Sequence, residues 1–498
     1  MNKQCDVVIL GAGGSGMVAA VRAAERGCHV VVLEKAKVIG GGMLFASTMR
    51  TFGSQWQAER GIEDQSNSFI RKGMDGTFWK LDPAVVRNAV LSTGKFFDWY
   101  SSFELPEVME MYQPGQYIFD IPVNGQMGPQ IDGFHNGSGR YMMKAMQRRA
   151  EELGVEILLQ TPAVDIEVTD GRITAVLAEG PEGPVRIEAS VCIFASGGWI
   201  CRKDIAEKVL PAYLDADILP SAHENPAYTG EAIDFGEKIG ADIDWENFCY
   251  RIMGPICAMG DQTDYDTLCH IESSIIVDLN AKRFAAEPLA PRIDPFETGI
   301  ILLQHPKAAT VSLFSKNILE QAIQRSREAD HGSTYAMFDV RDLPDLDVID
   351  GWFRKGMESG SKYLGMADTI EELAEQIGLD PAELKKTVDT YNASCAEGLD
   401  WEYFKDPAHM VPLSEGPFYA LAGRMMTDGA FGGILVDETM QARKAGGGLV
   451  EGLFVTGDAA SGRHIALGGM KKQVLNDMSW ALSSGYIAGA AAAAAAGH

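Results

Sequence analysis

Residues 6–16 read DVVILGAGGSG, an apolar run followed by a glycine-rich loop. The run Asp6–Leu10 predicts a buried strand, and the residues after the loop predict a helix whose inward positions are small (Ala19, Ala20, Ala23, Ala24). A second apolar strand, His29–Leu33, ends at Glu34, eighteen positions after Gly16. A GxGxxG pattern in this strand–loop–helix–strand context, with a terminal acid, indicates dinucleotide binding. This unit alone leaves FAD and NAD both open.

Each loop position has a predicted role at the cofactor. Gly11 allows the tight turn, Gly13 lets the pyrophosphate approach the backbone, and Gly16 lets the helix pack against the strand. The free N–H groups of the helix start face the phosphates, and Glu34 accepts hydrogen bonds from the ribose hydroxyls. The intervening Gly14 and Ser15 complete the predicted cofactor loop.

Composition limits the class of protein. The chain has 498 residues, which predicts two domains, and 46% hydrophobic with 22% charged residues indicates a globular protein. A net charge of −26 argues against a nucleic-acid partner. No signal peptide is recognised, and Ala488–Ala496 is too short and too weakly apolar to span a membrane. Eight scattered cysteines without a CxxC pattern predict reduced thiols, no metal site and a cytoplasmic location.

Further segments along the chain carry a family resemblance. They are Glu34-Lys35 leading into Val38-Ile39-Gly40-Gly41-Gly42, Phe194-Ala195-Ser196-Gly197-Gly198, Tyr228-Thr229-Gly230-Glu231-Ala232, Ala281-Lys282-Arg283-Phe284-Ala285-Ala286-Glu287, and Gly452-Leu453-Phe454-Val455-Thr456-Gly457-Asp458. Together they resemble the fumarate reductase/succinate dehydrogenase flavoprotein family, which includes the ketosteroid dehydrogenases. The resemblance implies that these turns surround FAD, that Asp458 holds the ribityl chain, and that the backbone of Ala163 and Val164 lies against the adenine. A late strand that returns to the cofactor favours FAD over NAD.

The resemblance also implies the architecture. The expected fold class is α/β: a Rossmann-like, glutathione-reductase-type FAD-binding domain with an inserted α+β capping domain. The expected segments are 1–222 and 427–498 for the FAD-binding domain and 223–426 for the cap, which would hinge over the flavin and exclude water. Helical patterns are predicted at Ile318–Ala329, Thr369–Ile377 and Pro381–Ala396, the last two capped by Asp368 and Asp380. Residues 140–153 predict a helix, 155–159 a strand, and Asp170-Gly171 a hairpin turn.

A proton donor is expected after the KRF motif. In the fumarate reductases this donor is an arginine eight residues after the arginine of KRF; here Arg292 follows Arg283 by nine. An arginine is a poor acid unless a carboxylate relays protons to it, so Asp294 or Glu287 would take that role. The alternative for Arg292 is a surface arginine paired with Asp294. Arg283 and Glu287 are predicted to form a structural ion pair.

The chain departs from the dicarboxylate enzymes at two places. Gly429 stands where those enzymes have a histidine. In the segment 461–476, matching glycines (Gly468, Gly469) puts Ala466 at the family's substrate-clamping arginine, whereas matching from the last helix puts Lys472 there and Asn476 at the family's asparagine. Neither alignment keeps both carboxylate-clamping side chains, and lysine does not replace a bidentate arginine. Fumarate is therefore not the expected substrate.

Other side chains have open roles. His464 is either catalytic or a hydrogen-bonded structural histidine, and Tyr419 either packs in the core or contacts substrate. Phe431 and Gly432 are further candidate substrate contacts. The aromatic stretch 101–139 either lines an entrance or is a packed surface loop. No histidine lies between Lys35 and Arg60, so the FAD is expected to be non-covalent.

Three functions remain open from the sequence. The leading one is a reductase that saturates an activated C=C bond of an enone, steroid or polyphenol, with a hydride from flavin N5 and a proton from Arg292. The second is the reverse reaction, a dehydrogenase that introduces a double bond beside a ketone, and the third is an electron-transfer flavoprotein subunit. The expected partners are a small-molecule substrate and an electron donor, either NAD(P)H or a separate protein.

Overall fold

A computed structural model of the chain describes residues 1–46, 49–102, 109–113, 116–119, 122–123, 126–127, 138–209, 211, 214, 216, 219–220, 228–257, 268–269, 271–287, 301–328, 343–461 and 475–498. The strands in this part of the chain are β1 (Asn2–Leu10), β2 (Val30–Leu33), β3 (Met109–Gln113), β4 (Gln116–Phe119), β5 (Pro122–Val123), β6 (Gln126–Met127), β7 (Glu156–Leu158), β8 (Ala163–Thr169), β9 (Arg172–Gly180), β10 (Gly183–Phe194), β11 (Leu219–Pro220), β12 (Cys249–Cys257), β13 (Ile275–Asp278), β14 (Thr310–Ser315), β15 (Leu364–Ala367), β16 (Phe418–Phe431), β17 (Ile434–Leu435), β18 (Gln441–Arg443), β19 (Leu449–Val455) and β20 (Ala460–Ser461).

The α-helices in the same part of the chain are α1 (Gly14–Ala24), α2 (Gln55–Glu59), α3 (Ser66–Gly76), α4 (Pro83–Ser101), α5 (Ser138–Glu152), α6 (Lys203–Val209), α7 (Glu231–Ile239), α8 (Lys316–Glu328), α9 (Leu346–Glu358), α10 (Ile370–Ile377), α11 (Pro381–Glu397) and α12 (Asp477–Ala495). Short 3-10 turns lie at Gly41–Phe45, Trp245–Asn247, Pro306–Ala308, Pro407–His409 and Gly457–Ala459. None of the described helices is both long enough and apolar enough to cross a bilayer.

The chain divides into two compact units. The first contains Met1–Leu210, Ala222–Arg251 and Gly429–His498, and the second contains Pro211–Ser221 and Ile252–Asp428. Both units are discontinuous. The described residues 228–251 pack with the first unit, although they fall within the segment 223–426 that the sequence analysis assigns to the cap. The reason is that bridges Ala241↔Lys444 and Ile243↔Ile434 tie the chain after α7 to the first unit.

The first unit is built on an eight-stranded mixed sheet. Its order is β18-β19-β10-β1-β2-β7, with β8 and β9 forming an antiparallel extension of β10. The strands β19, β10, β1, β2 and β7 are mutually parallel. The apolar residues of β1 and β2 are buried, which is the burial expected of central parallel strands covered on both faces. This is the α/β architecture predicted from residues 6–34.

The local predictions in this unit are confirmed. Helix α5 and strand β7 lie within two residues of their predicted bounds. Strands β8 and β9 form a hairpin in which Asp170 and Gly171 both have positive φ, at 51° and 75°. Two consecutive residues with positive φ are what a type I′ turn requires.

A second, six-stranded sheet consists mainly of residues of the second unit. Its order is β11-β16-β14-β13, and β12 and β15 also pair with β16. The predicted helical patterns correspond to α8, α10 and α11. Asp380 caps α11, as predicted, by accepting from the Glu383 N–H. The predicted cap Asp368 is wrong: α10 begins at Ile370, so its cap is Thr369, whose hydroxyl accepts from the Glu372 N–H.

Candidate functional site

Four neighbouring parallel strands of the first unit's sheet have their carboxyl ends at the same level, along one edge of the sheet. Leu10 of β1 pairs with Leu33 of β2 and with Phe194 of β10, and Phe194 pairs with Val455 of β19. The residues that follow these four ends are the predicted cofactor turns at 11–16, 34–35, 195–198 and 456–458. In open α/β sheets, ligands bind outside the carboxyl ends of the strands. The fold therefore assembles the predicted cofactor segments at a single edge.

The glycine loop after β1 contains two kinds of glycine. A Cβ at Gly11 would stand 2.4 Å from the Ala195 carbonyl oxygen, and one at Gly16 would stand 2.0 Å from the Gly11 carbonyl oxygen. The protein's own packing thus requires glycine at both positions. A Cβ at Gly13 would meet only the Gly40 carbonyl oxygen, at 4.0 Å. The missing side chain of Gly13 therefore leaves open space for a ligand to approach the backbone.

Helix α1 begins beside this open space. Gly13 is its N-cap residue, no side chain caps its first turn, and that turn contains no acidic residue. The first N–H groups of a helix lack partners within the helix and attract an anion. Ser15 lies in this turn and is buried against Gly457, where a Cβ would stand 2.7 Å from the Ser15 hydroxyl. A Cβ at Gly14 would contact the side chain of Met43.

Glu34 is buried at the end of β2, and both of its carboxylate oxygens accept backbone hydrogen bonds. They accept from the Ala12 N–H at 2.8 Å and from the Ala36 N–H at 2.7 Å. Each oxygen has a second lone pair, so hydrogen bonds from ribose hydroxyls remain compatible with this geometry. The Thr161 N–H donates to the Glu34 carbonyl oxygen at 2.8 Å. This bond brings the segment that continues into Ala163 and Val164 next to β2.

Lys35 joins two of the predicted cofactor segments. Its ammonium group donates to the Glu231 carboxylate at 2.5 Å and to the Thr229 hydroxyl at 2.8 Å. The two acceptors are also hydrogen-bonded to each other at 2.6 Å. Gly230 lies between them in the chain. A Cβ at this position would stand 3.0 Å from the Trp199 side chain. The turn Thr229–Glu231 is therefore held at the edge where β2 ends.

Two buried hydroxyl groups on this edge lack hydrogen-bond partners among the described residues. They are the Ser196 hydroxyl, after β10, and the Thr456 hydroxyl, after β19. A buried polar atom without a partner costs free energy, so such atoms point to a bound group that satisfies them. Together with the space above Gly13, these hydroxyls fit a polar cofactor such as FAD.

The turn after β19 lies close to the turn after β10. A Cβ at Gly198 would stand 3.5 Å from the Asp458 Cβ. Gly457 is fixed from α12, because its N–H donates to the Ser484 hydroxyl at 3.0 Å and its carbonyl accepts from the Trp480 indole at 2.8 Å. The chain thereby carries Asp458 to the cofactor edge, where its predicted contact with the ribityl chain remains a prediction.

Of the other predicted cofactor residues, some lie in the described part of the chain and some lie outside it. Gly41 and Gly42 begin the turn that follows Gly40, which bridges to Gly13. Asn476 caps α12 by accepting from the Ser479 N–H at 3.1 Å. Gly468 and Gly469 lie outside the described residues, as do His464 and Lys472, so the two alignments of 461–476 stay open. The predicted catalytic residues Arg292 and Asp294 also lie outside them.

Two of the predicted substrate-contact residues, Tyr419 and Phe431, are buried side chains. Tyr419 is fully buried in the core of the second unit, where its hydroxyl donates to Asp350 at 2.6 Å and its ring packs edge-on against Phe353. Core packing, the alternative that the sequence also allowed, accounts for this tyrosine, and its substrate contact stays a prediction. Phe431 is buried in the first unit, where its carbonyl accepts from the Trp199 indole.

Gly432 also has a packing reason to be glycine. A Cβ at this position would stand 2.3 Å from the ring of Phe248. That ring stacks on Trp199 with a centroid distance of 5.1 Å, so the close approach is part of an aromatic cluster in the first unit. The glycine is explained by this cluster without invoking substrate.

The KRF motif forms a buried ion network in the second unit. Arg283 and Glu287 form the predicted ion pair with two contacts, at 3.0 and 2.8 Å, and Arg283 makes a second pair with Asp400, at 3.2 and 2.7 Å. Lys405 donates to the Ser274 carbonyl at 2.5 Å and lies 3.7 Å from Glu287. All four charged side chains are almost fully buried, and their formal charges cancel.

The pKa shifts in this network follow from burial and pairing. Desolvation alone would lower the pKa of Arg283, but hydrogen bonds to Glu287 and Asp400 outweigh it and raise that pKa. Desolvation lowers the pKa of Lys405 to about 8, against the opposing attraction of Glu287. Removing one partner of a buried pair costs about 3–5 kcal/mol. The network is therefore structural, and the proton-relay role of Glu287 stays a prediction.

Asp400 and Lys405 were missed by the sequence interpretation. They lie more than a hundred residues after Arg283 and belong to no motif, so no local signal identifies them. The Asp400 carboxylate also accepts from the Glu402 and Lys405 N–H groups, at 3.2 Å each, and so orders the turn after α11.

Comparison with known proteins agrees with this site. The sequence matches the FAD binding domain family over residues 6–469. It is 25% identical over 475 residues to the NADH:fumarate oxidoreductase of Klebsiella pneumoniae (strain 342), covering 93% of this chain but only 45% of that protein. It is 23% identical over 472 residues to the vinyl phenol reductase of Lactiplantibacillus plantarum, covering 92% of this chain and 90% of that protein.

A solved structure shares the fold. The open conformation of a flavocytochrome c3 fumarate reductase superposes with a TM-score of 0.71 at 20% identity, covering 99% of this chain and 79% of that one. The likeness extends over both units of the chain, so the expected combination of an FAD-binding domain with an inserted domain is confirmed as the fold class.

Proposed function

The chain belongs to the FAD binding domain family, and from that premise we propose that this FAD-dependent oxidoreductase saturates an activated carbon–carbon double bond. The observation that carries the proposal is that the strands ending at Leu33, Leu10, Phe194 and Val455 are neighbours, which supports a single site for the predicted cofactor turns. One relative whose length the chain nearly spans is a vinyl phenol reductase, which supports reduction of a C=C bond.

The proposed reaction adds one hydride and one proton across the double bond. Bound FAD, once reduced, supplies the hydride from its N5 atom. The chain contributes the cofactor contacts of the glycine loop, Ser196 and Asp458, and Arg292 delivers the proton to the second carbon. Asp294 returns a proton to Arg292, because an arginine acts as an acid only when a neighbouring carboxylate reloads it.

We propose a substrate that is not a dicarboxylate. Gly429 replaces the histidine of the dicarboxylate enzymes, and glycine offers no side chain to hold a carboxylate. Neither alignment of 461–476 restores a bidentate arginine, which is the group best suited to bind a planar carboxylate. An apolar or cyclic acceptor of the enone, steroid or polyphenol type follows from these two losses.

The proton-donor role is tested by Arg292→Ala. FAD should remain bound with an unchanged absorption spectrum, while turnover should fall about 10²–10⁴-fold, the usual contribution of a general acid. Arg327→Ala is the matched control, because Arg327 is an exposed arginine of the second unit paired with Asp345. Turnover of Arg292→Ala equal to that of the control would exclude Arg292 as the proton donor.

The substrate class is tested by anaerobic reoxidation of the reduced protein. Solutions of a vinyl phenol, a cyclic enone and fumarate are mixed with it separately, and the flavin band near its oxidised maximum is followed. We expect reoxidation by one of the first two and not by fumarate. Bleaching of the oxidised flavin by a saturated ketone would instead favour the dehydrogenase direction.

The electron donor and the location belong to the same proposal. NADH and NADPH are tested directly by their ability to bleach the flavin anaerobically, and failure of both points to a separate donor protein. A cytoplasmic location is supported by Cys5, Cys28, Cys192 and Cys395, which the structure describes as free thiols. Retention of FAD after gentle gel filtration, and its release by acid, would establish that the cofactor is non-covalent.

A further inference from the structure

Tyr228 lies between two of the glycine turns at the cofactor edge. Its ring is placed so that a Cβ at Gly197 would stand 2.8 Å from two ring carbons. Its hydroxyl is placed so that a Cβ at Gly42 would stand only 2.5 Å away. Both turns can approach the tyrosine only because each has a glycine there.

The two turns follow the strands on either side of β1. Gly197 follows β10 and Gly42 follows β2, and both of these strands pair with β1. The Tyr228 ring and hydroxyl therefore reach from one side of the glycine loop to the other. The carbonyl of Tyr228 accepts from the Cys201 N–H at 3.1 Å, which fixes its backbone beside the turn after β10.

The hydroxyl end of Tyr228 is close to the open space at Gly13. A Cβ at Gly41 would lie 4.0 Å from the Tyr228 hydroxyl and 3.6 Å from the Gly13 Cα. Gly13 is the position at which a dinucleotide's diphosphate approaches the backbone. The residues just after Tyr228, Thr229 and Glu231, are hydrogen-bonded to Lys35, so this part of the chain is held in place.

We propose that Tyr228 is a cofactor-binding residue whose phenolic hydroxyl donates a hydrogen bond to the diphosphate of FAD. A phenol is a neutral donor that adds no charge beside the acidic Glu34 and Glu231. Its ring is rigid and is already fixed by the Gly197 turn, so little conformational freedom is lost on binding. The inference rests on FAD binding alone, and its failure would leave the proposed C=C reduction untouched.

The test compares Tyr228→Phe with the control Tyr486→Phe. Both variants lose one phenolic oxygen in the first unit, and the Tyr486 ring packs under the Arg22 guanidinium at 4.2 Å, an interaction that phenylalanine retains. FAD affinity of the apoprotein is measured by quenching of flavin fluorescence. The phosphorus NMR signals of bound FAD and the unfolding temperature of the apoprotein are recorded for each.

For Tyr228→Phe we expect FAD affinity to fall about tenfold or more, as for loss of a hydrogen bond to a charged group. The diphosphate signals should shift, while the apoprotein melts as the wild type does; Tyr486→Phe should change neither affinity nor signals. Unchanged FAD affinity in Tyr228→Phe, or weaker binding without any shift of the diphosphate signals, overturns the proposal.

A measurement on the unsubstituted protein tests the same contact even if the Tyr228→Phe variant does not fold. Nitration by tetranitromethane, followed by peptide mass analysis, reports the accessibility of the Tyr228 ring. Bound FAD should protect Tyr228 and leave nitration of Tyr486 unchanged. Equal nitration of Tyr228 with and without FAD contradicts the proposed contact.

Discussion

At the residue scale, the glycine loop shows how one motif combines two physical requirements. Gly11 and Gly16 are glycines because backbone carbonyl oxygens lie 2.4 and 2.0 Å from where a Cβ would be. At Gly13 the nearest protein atom would be 4.0 Å away, so the protein itself would tolerate a methyl group. We therefore expect the requirement for glycine at this position to come from the ligand.

This difference predicts opposite behaviour for two alanine variants. Gly13→Ala should leave the unfolding temperature of the apoprotein unchanged but weaken FAD binding about tenfold or more, ~1.4 kcal/mol, because the methyl group occupies the diphosphate's space. Gly16→Ala should destabilise the apoprotein, because its Cβ would overlap the Gly11 carbonyl. Calorimetry of both apoproteins and a flavin titration measure these effects. Wild-type FAD affinity in Gly13→Ala would show that the diphosphate lies elsewhere.

At the element scale, α12 is held against α1 by small residues. A Cβ at Gly485 would stand 2.3 Å from the Ser15 carbonyl oxygen, and one at Gly489 would stand 2.5 Å from the Ala19 carbonyl oxygen. The same helix supplies Ser484 and Trp480, which fix the turn before Asp458. The glycine- and alanine-rich end of the chain is thus a packed helix, and its close approach to α1 supports the cofactor edge.

Glycine-to-alanine substitutions in two helices should therefore change the free energy of unfolding in opposite directions. Gly485→Ala should destabilise the protein by about 1–3 kcal/mol, because overpacking outweighs the better helix propensity of alanine. Gly351→Ala in α9 should stabilise it by about 0.5–1 kcal/mol, because Gly351 is exposed and a Cβ there meets nothing within 4 Å. Urea unfolding followed by circular dichroism measures both changes, and equal stability of the two variants would contradict the packing argument.

At the scale of the whole molecule, the first unit is assembled from distant parts of the chain. Its segments are Met1–Leu210, Ala222–Arg251 and Gly429–His498. The turns at the cofactor edge come from all three, and the pairing of β10 with β1 and β19 brings them together. We therefore expect cofactor binding to depend on the assembled sheet and not on the N-terminal motif alone.

Hydrogen exchange with and without FAD tests this assembly. Peptides covering 11–16, 34–42, 195–198, 228–231 and 456–458 should all exchange more slowly when FAD is bound, because they face a single ligand. Peptides covering β14, which lies in the core of the second unit, should not change. Protection confined to residues 11–42 would mean that the later turns do not contact the cofactor.

Much of the cofactor unit was predictable because its determinants are local. The strand, loop, helix and strand of residues 6–34 follow from apolar runs, glycine spacing and small inward residues, all within thirty positions. The Asp170-Gly171 turn and the Asp380 cap were equally readable, since each depends on a few neighbouring residues. The later turns were identified from the family resemblance, because nothing in their composition indicates a shared location.

The amino-acid sequence by itself determined the dinucleotide-binding motif, and the family resemblance of its later turns implied FAD and the α/β fold with an inserted domain. The loss of the dicarboxylate-binding side chains stays a prediction. Only the tertiary structure decided that Asp400 and Lys405 join Arg283 and Glu287 in one buried ion network, that Tyr419 is a core residue, and that Tyr228 lies between two glycine turns. These contacts join residues far apart in the chain. They depend on strand order and register, which bring distant segments together only after the sheets have formed.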